Sequence, residues 1–512
     1  MLKFFGAGKA DHPMADLKEA RKLLDELAPN DAFKALDELS DWHDSVRSAE
    51  GFKPEYRAQL TQLIDEAAQL HVRKLSRDYL ASPSLSKFQE SRLWSAIHAY
   101  YKQAALSYAA CIDLYATGAK GADSLKNALP LLTVRALRAL AAQMKWQTLR
   151  YGPFEDSLWG VVAKIYALAE TKKYARTKVS VYPAIPGESS AEQEFLRAVM
   201  LAASSPDGLL PLEIEIAERL IAHFSASFTL VLAQQPDIAY WIDLATSMPP
   251  LRLARPPQHA PTLRFFAAGK ASEELEQLIK TVKATGAVPS SVGLGGTYEP
   301  KVILDVLDHL YLYWSTKPPE RKHPRHNVKT RLAVTHGFEG VMGVLDPSST
   351  LNFDDAAESW IVDNVSAGGF GVTIPQVKGD WLKIGTLLGL QPEGGQNWVI
   401  GIVRRLNRDS AQKASIGVQT IARAAAPVKL RLQSGSMGLS TDAETGILLD
   451  PAAAVGAPEA RLVLKAGAMV EGQNLQYEDK GATFLLLPAG TQDKGVDYEL
   501  VRFRQMKRDT GE

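Results

Sequence analysis

The feature that most constrains the fold is a change of hydrophobic period near residue 315. Before it, apolar residues recur every three or four positions, which is the spacing of amphipathic helices. After it, short apolar runs alternate with polar residues and are separated by Gly, Pro and Asp, which is typical of β-strands. Pro318 and Pro319 stand at the change, and proline cannot continue a helix. The sequence therefore predicts a helical region and a β region joined by a stiff linker.

The length sets the number of domains to expect. A chain of 512 residues exceeds what one core usually holds, so two to four domains are expected. With 46% hydrophobic and 23% charged residues, the composition is that of an ordinary folded protein. We expect a multidomain α+β protein with a large all-α helical bundle or solenoid at 1–315. Short apolar runs between proline-rich turns indicate a possible small β excursion at 228–268.

Individual helices have recognisable starts and faces. Pro54 is typical of the first position of a helix, and we expect Leu60, Leu63 and Leu70 on its inward face. A helix at 300–315 also opens with a proline and leads directly into the linker. The other long helical patterns lie at 88–115, 124–151, 154–173, 191–203, 212–228 and 272–285.

The overall charge balance disfavours nucleic acid as a partner. The chain has 58 basic and 58 acidic residues, so no overall field attracts nucleic acid or anionic lipid. Any site for an anion must therefore be local. We expect no nucleic-acid partner.

Cysteine content and hydropathy suggest a compartment. The single cysteine, Cys111, cannot form an internal disulfide and lies in a pattern typical of the buried side of a helix, which suits a reducing environment. The most apolar stretch, 129–144, is interrupted by Arg135 and Arg138, so no run has the character of a membrane span. We expect a cytoplasmic protein without membrane insertion.

Two arginines form the first half of a candidate binding motif. Arg321 and Arg325 stand four residues apart in the segment RKHPR, so both point to the same side of an extended or helical backbone. Pro324 disfavours the helical alternative for the residue before it and stiffens the segment. Two planar guanidinium groups on one arm can grip a phosphate and the O6/N7 edge of a guanine together.

A polar, glycine-rich turn forms the second half. Residues 360–363 have the pattern of a strand, and the sequence NVSAGG follows at 364–369. Asn364 and Ser366 would present an amide and a hydroxyl at the end of that strand. Gly368 and Gly369 permit positive φ and close approach of a ligand to the backbone. A strand pattern resumes at 370–374.

The order and spacing of these two halves resemble the PilZ domain, a small β-barrel that binds the bacterial second messenger cyclic di-GMP. The later strand patterns at 398–403 and 416–421 extend the resemblance, which covers about residues 318–424. It implies a PilZ-like barrel at 316–425. Short strand patterns continue after that barrel and predict a C-terminal β domain at 426–512, a degenerate barrel or a sheet, which carries neither half of the motif. The resemblance also implies the ligand-binding residues: Arg321 and Arg325 for phosphate and guanine, and Asn364, Ser366 and Gly369 along the base.

Other candidate sites are weaker. Gly293, Gly295 and Gly296 precede a helix but lack the spacing and the Lys-Ser/Thr of a phosphate loop, so a turn is favoured. His323 and His326 have no Cys or carboxylate beside them at ligand spacing, which disfavours a metal site. No cofactor is expected besides the ligand cyclic di-GMP.

These observations predict a receptor and not an enzyme. We found no nucleophile paired with a base and no motif for making or cleaving cyclic di-GMP. The expected function is a cyclic di-GMP effector that couples ligand binding to a protein partner through its helical domain. The alternative is a constitutive helical scaffold whose barrel no longer binds ligand. The sequence leaves open whether one ligand or an intercalated pair binds.

Overall fold

The structure is a computed structural model, and it describes residues 11–28, 30–81, 85–320, 324–346, 358–377, 379–409, 413–432, 444–454, 457–469, 473–479 and 481–508. The chain divides into two compact units, Met1–Pro319 and Glu320–Glu512. The first unit is mostly helical and the second is mostly β, so the predicted multidomain α+β class is confirmed.

Helices dominate the described part of the first unit, as the hydrophobic period predicts. They are α1 Leu17–Asp25, α2 Ala32–Ser48, α3 Pro54–Ala81, α4 Lys87–Ala116, α5 Leu129–Thr148, α6 Ser157–Thr171, α7 Ala191–Ala203, α8 Pro211–Phe224, α9 Ala271–Thr285 and α10 Pro300–Trp314. Prolines occupy the first turn of α5, α8 and α10. There the fixed φ suits the helix and the missing N–H costs no hydrogen bond. Among the described residues, no helix has the length and apolarity that a bilayer crossing requires.

Two small sheets interrupt the helices. A hairpin, β1 Val179–Tyr182 and β2 Ile185–Ser189, lies between α6 and α7. A four-stranded sheet in the order β3-β6-β4-β5 falls within the region 228–268. Its strands are β3 Thr229–Val231, β4 Tyr240–Asp243, β5 Leu251–Arg252 and β6 Leu263–Ala267.

A buried carboxylate connects α3 to α4 and to the hairpin through hydrogen bonds. Asp65 on α3 accepts hydrogen bonds from the hydroxyl groups of Tyr100 at 2.7 Å, Tyr108 at 2.8 Å and Tyr182 at 3.0 Å. All four side chains are buried, and burial followed by the charge of Asp65 raises the pKa of each of these tyrosines. The buried stripe of α3 is centred on Asp65, and Leu70 is 75% exposed. The prediction that Leu70 faces inward was therefore wrong, because the polar cluster sets the orientation of this helix.

The second unit contains two barrels. The first is closed in the order β10-β11-β12-β9-β8-β7 and the second in the order β13-β14-β15-β18-β17-β16. The first barrel consists of β7 His326–His336, α11 Gly337–Leu345, β8 Glu358–Ser366, β9 Gly369–Ile374, β10 Leu387–Pro392, β11 Val399–Arg408 and β12 Ala414–Ala422. The second consists of β13 Ala425–Leu432, β14 Glu444–Leu449, α12 Pro451–Ala454, β15 Glu459–Lys465, β16 Leu475–Asp479, β17 Ala482–Lys494 and β18 Tyr498–Arg508.

The two barrels share a core around α11. Phe338 and Val341 on α11 are buried in one apolar cluster with residues of both barrels, including Ile402 of β11 and Ile447 of β14. Asp497 of the second barrel accepts a hydrogen bond from the backbone N–H of Phe338 at 2.7 Å, which caps the start of α11. The barrels therefore form one packed body within the second unit.

Candidate functional site

Of the predicted site residues, Arg325, Asn364, Ser366 and Gly369 lie at one end of the first barrel. The backbone register pairs His326 at the start of β7 with Val365 near the end of β8. Arg325 immediately precedes β7, so the same register continued by one residue places it opposite Ser366. Arg321 lies outside the described residues. The sheet thus brings the second arginine of the arm beside the Asn-Ser turn.

Alternation along β8 and β9 decides which side chains face outward. Val362 and Val372 are buried and pair with each other on the inner face of the barrel. Asn364, two residues past Val362 on the bulged end of β8, pairs with Gly371, which is on the opposite face of β9 from Val372. Asn364 and Ser366 therefore lie on the outer face of the barrel, and both are partly exposed.

The amide of Asn364 is held over a glycine. An ideal Cβ on Gly371 would stand 2.6 Å from both the Nδ2 and Oδ1 atoms of Asn364, so the amide occupies the space that any other residue at 371 would fill. Within the described part of the chain, the Oδ1 atom of Asn364 is shielded from solvent and has no hydrogen-bond partner. A buried oxygen without a partner is costly to leave unmatched.

Ser366 and Gly369 form the tight turn between β8 and β9. The hydroxyl of Ser366 donates to the carbonyl oxygen of Gly369 at 3.3 Å, and the backbone N–H of Thr420 donates to the carbonyl of Gly368 at 3.0 Å. A Cβ on Gly369 would come within 2.0 Å of the carbonyl oxygen of Val418. Gly369 is therefore required by the packing of β9 against β12.

The structure shows the contacts of one histidine in this region, His336. His336, at the far end of β7, stacks on Trp381 with ring centroids 4.0 Å apart, and burial lowers its pKa. His323 lies outside the described residues. Across the described ranges, no three His, Cys, Asp or Glu side chains are placed to hold a metal ion together.

Sequence reasoning missed two features of this barrel. Helix α11 was not predicted, and it lies inside the region expected to be β. The role of Gly371 was also missed. The glycines at 369 and 371, spaced two apart in a strand, were the available signal, since that spacing leaves one face of the strand without side chains.

Two family models match the chain, one in each unit. The family model for the N-terminal domain of the cyclic-di-GMP receptor FimW matches residues 18–236. The model for the middle PilZ domain of the same receptor matches residues 354–427. Together the two spans cover more than half of the 512 residues. Asn364, Ser366 and Gly369 fall within the second span, and the segment 321–325 precedes it. No curated protein matches the chain.

Proposed function

The chain belongs to the cyclic-di-GMP receptor family of FimW, and we propose that it binds this ligand on the outer face of its first barrel. The proposal is supported by the register that pairs His326, the residue after Arg325, with Val365, at the same end as the Asn364 oxygen that has no hydrogen-bond partner among the described residues. In this proposal the ligand contacts are made by Arg321, Arg325, Asn364, Ser366 and Gly369.

The chemistry of these groups suits a guanine nucleotide. An arginine fork donates in parallel to a phosphate or to the O6 and N7 atoms of guanine. The Oδ1 atom of Asn364 can accept from the N–H groups on the opposite edge of the base, and Ser366 can exchange its bond to Gly369 for one to the ligand. Because the ligand carries two phosphates, its affinity should fall as salt is added.

We infer that the arm passes the binding event to the helical domain. The linker after α10 is anchored within the first unit, where the guanidinium of Arg252 on β5 donates to the carbonyl of Pro319 at 2.7 Å. The hydroxyl of Tyr240 on β4 donates to the carbonyl of Tyr313 at 2.7 Å. Closure of the arm on ligand would therefore pull on α10 and on the four-stranded sheet. A protein partner that reads the helical domain in the cytoplasm would sense this change, and no catalytic step is needed.

Calorimetric titration of the full chain with cyclic di-GMP tests the binding site. We expect saturable binding by the wild type, loss of measurable binding in Arg325→Ala, and wild-type affinity in Arg331→Ala. Arg331 is the matched control because it is an exposed arginine on β7 of the same barrel. Equal affinity of Arg325→Ala and wild type would overturn the assignment of the arm. A wild type that does not bind would favour the constitutive scaffold.

Hydrogen exchange tests the coupling. Ligand should change exchange both at the start of β7 and within α10. Replacing Pro318 and Pro319 by a longer Gly/Ser linker should preserve binding and abolish the change in α10, because a flexible linker transmits no pull. An unaltered response of α10 in this variant would exclude the linker as the transmitting element.

A further inference from the structure

A bulge in β8 places Asn364 opposite Gly371. Val362 pairs with Val372, and the register then shifts at the next residue, Asp363. Asn364 pairs with Gly371 as a result. Without this extra residue in the strand, Asp363 and not Asn364 would stand opposite Gly371. The bulge therefore decides which side chain lies over this position of β9.

The bulged residue is itself bonded to β9. The carboxylate of Asp363 accepts a hydrogen bond from the hydroxyl of Thr373, two residues past Gly371. A bulge changes the direction of the side chains next to it, and this contact joins the bulge to the neighbouring strand. The register at Asn364 is therefore supported by a contact outside the proposed ligand contacts.

The amide of Asn364 occupies the space that a side chain at position 371 would need. An ideal Cβ on Gly371 would lie 2.6 Å from both the Nδ2 and Oδ1 atoms of Asn364 and 2.8 Å from its Cγ atom. These distances are shorter than van der Waals contact, so one of the two groups would have to move. The amide is the far end of a rotatable side chain, whereas a Cβ is fixed to the backbone. The amide would therefore turn away, and the strand would stay in place.

The backbone gives no separate reason for glycine at position 371. The φ angle of Gly371 lies outside the left-handed region that favours glycine. In the interior of a strand, glycine is destabilising relative to alanine. The space taken by the Asn364 amide accounts for glycine at this position.

We propose that Gly371 is a positioning residue for ligand binding, because it leaves the space in which the amide of Asn364 lies. This inference rests on the proposed function, in which Asn364 contacts cyclic di-GMP. Gly371 is buried, so its effect on the ligand passes through Asn364. A side chain at position 371 would turn the amide away and remove that one contact.

A double-mutant cycle tests this inference by titration of full-length variants with cyclic di-GMP. Gly371→Ala should weaken binding about tenfold, as much as Asn364→Ala, because either change removes the same hydrogen-bonding contact. The double variant Asn364→Ala/Gly371→Ala should also lose about tenfold. Two changes that acted independently would together cost roughly a hundredfold.

Gly417→Ala is the matched control. Gly417 pairs with Gly371 in the same row of the ladder, on the adjacent strand β12. A Cβ on Gly417 would meet its nearest neighbour, the Cβ atom of Arg405, at 3.4 Å, which is an ordinary van der Waals distance. Gly417→Ala should therefore bind like wild type. Thermal unfolding should show that both glycine variants keep the barrel folded.

The outcomes separate this inference from the proposed site. If Gly371→Ala binds like wild type while Asn364→Ala is weakened, Gly371 does not position the amide and the proposed site stands. A roughly hundredfold loss in the double variant would also overturn the inference, because Gly371 would then act by a route other than Asn364. If Asn364→Ala binds like wild type, the proposed contact at Asn364 is itself wrong.

Early unfolding of Gly371→Ala would leave the decision to the double variant. Asn364→Ala/Gly371→Ala has no amide to clash with the new methyl group, so it should fold and bind like Asn364→Ala. A double variant that unfolds as early as Gly371→Ala would overturn the inference, because the amide would then not be what requires glycine at position 371.

Discussion

The two barrels have the same strand connectivity. They differ in the polar groups at the end of the second strand and in the segment that precedes the first strand. Numbered from its first strand, each closes in the ring order 1-2-3-6-5-4. In the first barrel, the second strand ends at Asn364 and Ser366, and the amide oxygen of Asn364 has no hydrogen-bond partner among the described residues. In the second barrel, the second strand ends beside Asp450. That carboxylate accepts from the backbone N–H of Arg423 at 3.0 Å and from Arg461 at 3.1 Å.

The segment before the first strand makes the other difference. The first barrel is preceded by the arginine arm, whereas only Arg423 and Ala424 separate β12 from β13 of the second. Two residues cannot form an arm that folds over a ligand. Because the two barrels share a topology, the proposed site depends on features that only the first has, namely the segment before its first strand and the turn after its second strand.

The largest expected effect comes from removing the arm. The double variant Arg321→Ala/Arg325→Ala should lose at least about a hundredfold in affinity for cyclic di-GMP, since two charge-assisted contacts disappear. Arg423→Ala, which removes the side chain at the corresponding place before the second barrel, should leave affinity unchanged. Calorimetry on both chains makes the comparison. Equal losses would show that the barrels do not differ in the way described.

Replacing the polar residue at each of the two turns by alanine should separate an effect on ligand affinity from an effect on the free energy of unfolding. Asn364→Ala should weaken binding by about tenfold and leave the free energy of unfolding nearly unchanged, because its oxygen has no partner to lose. Asp450→Ala should lower the free energy of unfolding by about 1 kcal/mol and leave binding unchanged. Titration and denaturant unfolding measure the two quantities. A binding defect in Asp450→Ala would contradict the structural role of the second turn.

The contact between the barrels should have a moderate effect on stability. Asp497→Ala removes the cap of α11 and should lower the free energy of unfolding by about 1 kcal/mol. Asp497→Ser can still accept from the backbone N–H and should recover most of the loss. Lys465→Ala breaks the exposed pair with Glu339 and is the control without a measurable effect. A similar loss in Asp497→Ser and Asp497→Ala would mean that the cap is not the stabilising contact.

The smallest effect is expected at the hydroxyl of the turn. Ser366→Ala should weaken binding by about two- to tenfold, less than either arginine, because a neutral hydrogen bond contributes about 0.5 to 1.5 kcal/mol. Titration under identical salt conditions provides the ranking. A loss larger than that of Arg325→Ala would mean that the roles of these residues are assigned wrongly.

Local signals predicted much of the helical unit and the strands on each side of the Asn-Ser turn. Pro54 and Pro300 begin helices where their fixed φ predicts. The strand on each side of the Asn-Ser turn follows from alternation, and the structure has β8 and β9 there. Leu70 was placed wrongly because the position of Asp65 is decided by three tyrosines from other elements, which no pattern along α3 reveals.

Pairing between distant strands could not be predicted. The pairing of Asn364 with Gly371 depends on the register shift between Val362 and Asn364. A shift of one residue would turn Asn364 to the other face of the sheet. The helix α11 and its cap from Asp497 likewise join residues far apart in the chain, so the shared core of the barrels had no local signal.

Hydrogen exchange of the full chain with and without cyclic di-GMP tests most directly whether the first barrel alone carries the site. The account predicts ligand-dependent protection at residues 324–332 and 362–373, where the arm meets the Asn-Ser turn. It predicts unchanged exchange at residues 423–432 and 459–465, which form the matching part of the second barrel. Protection of the second set, or of neither set at saturating ligand, would contradict it.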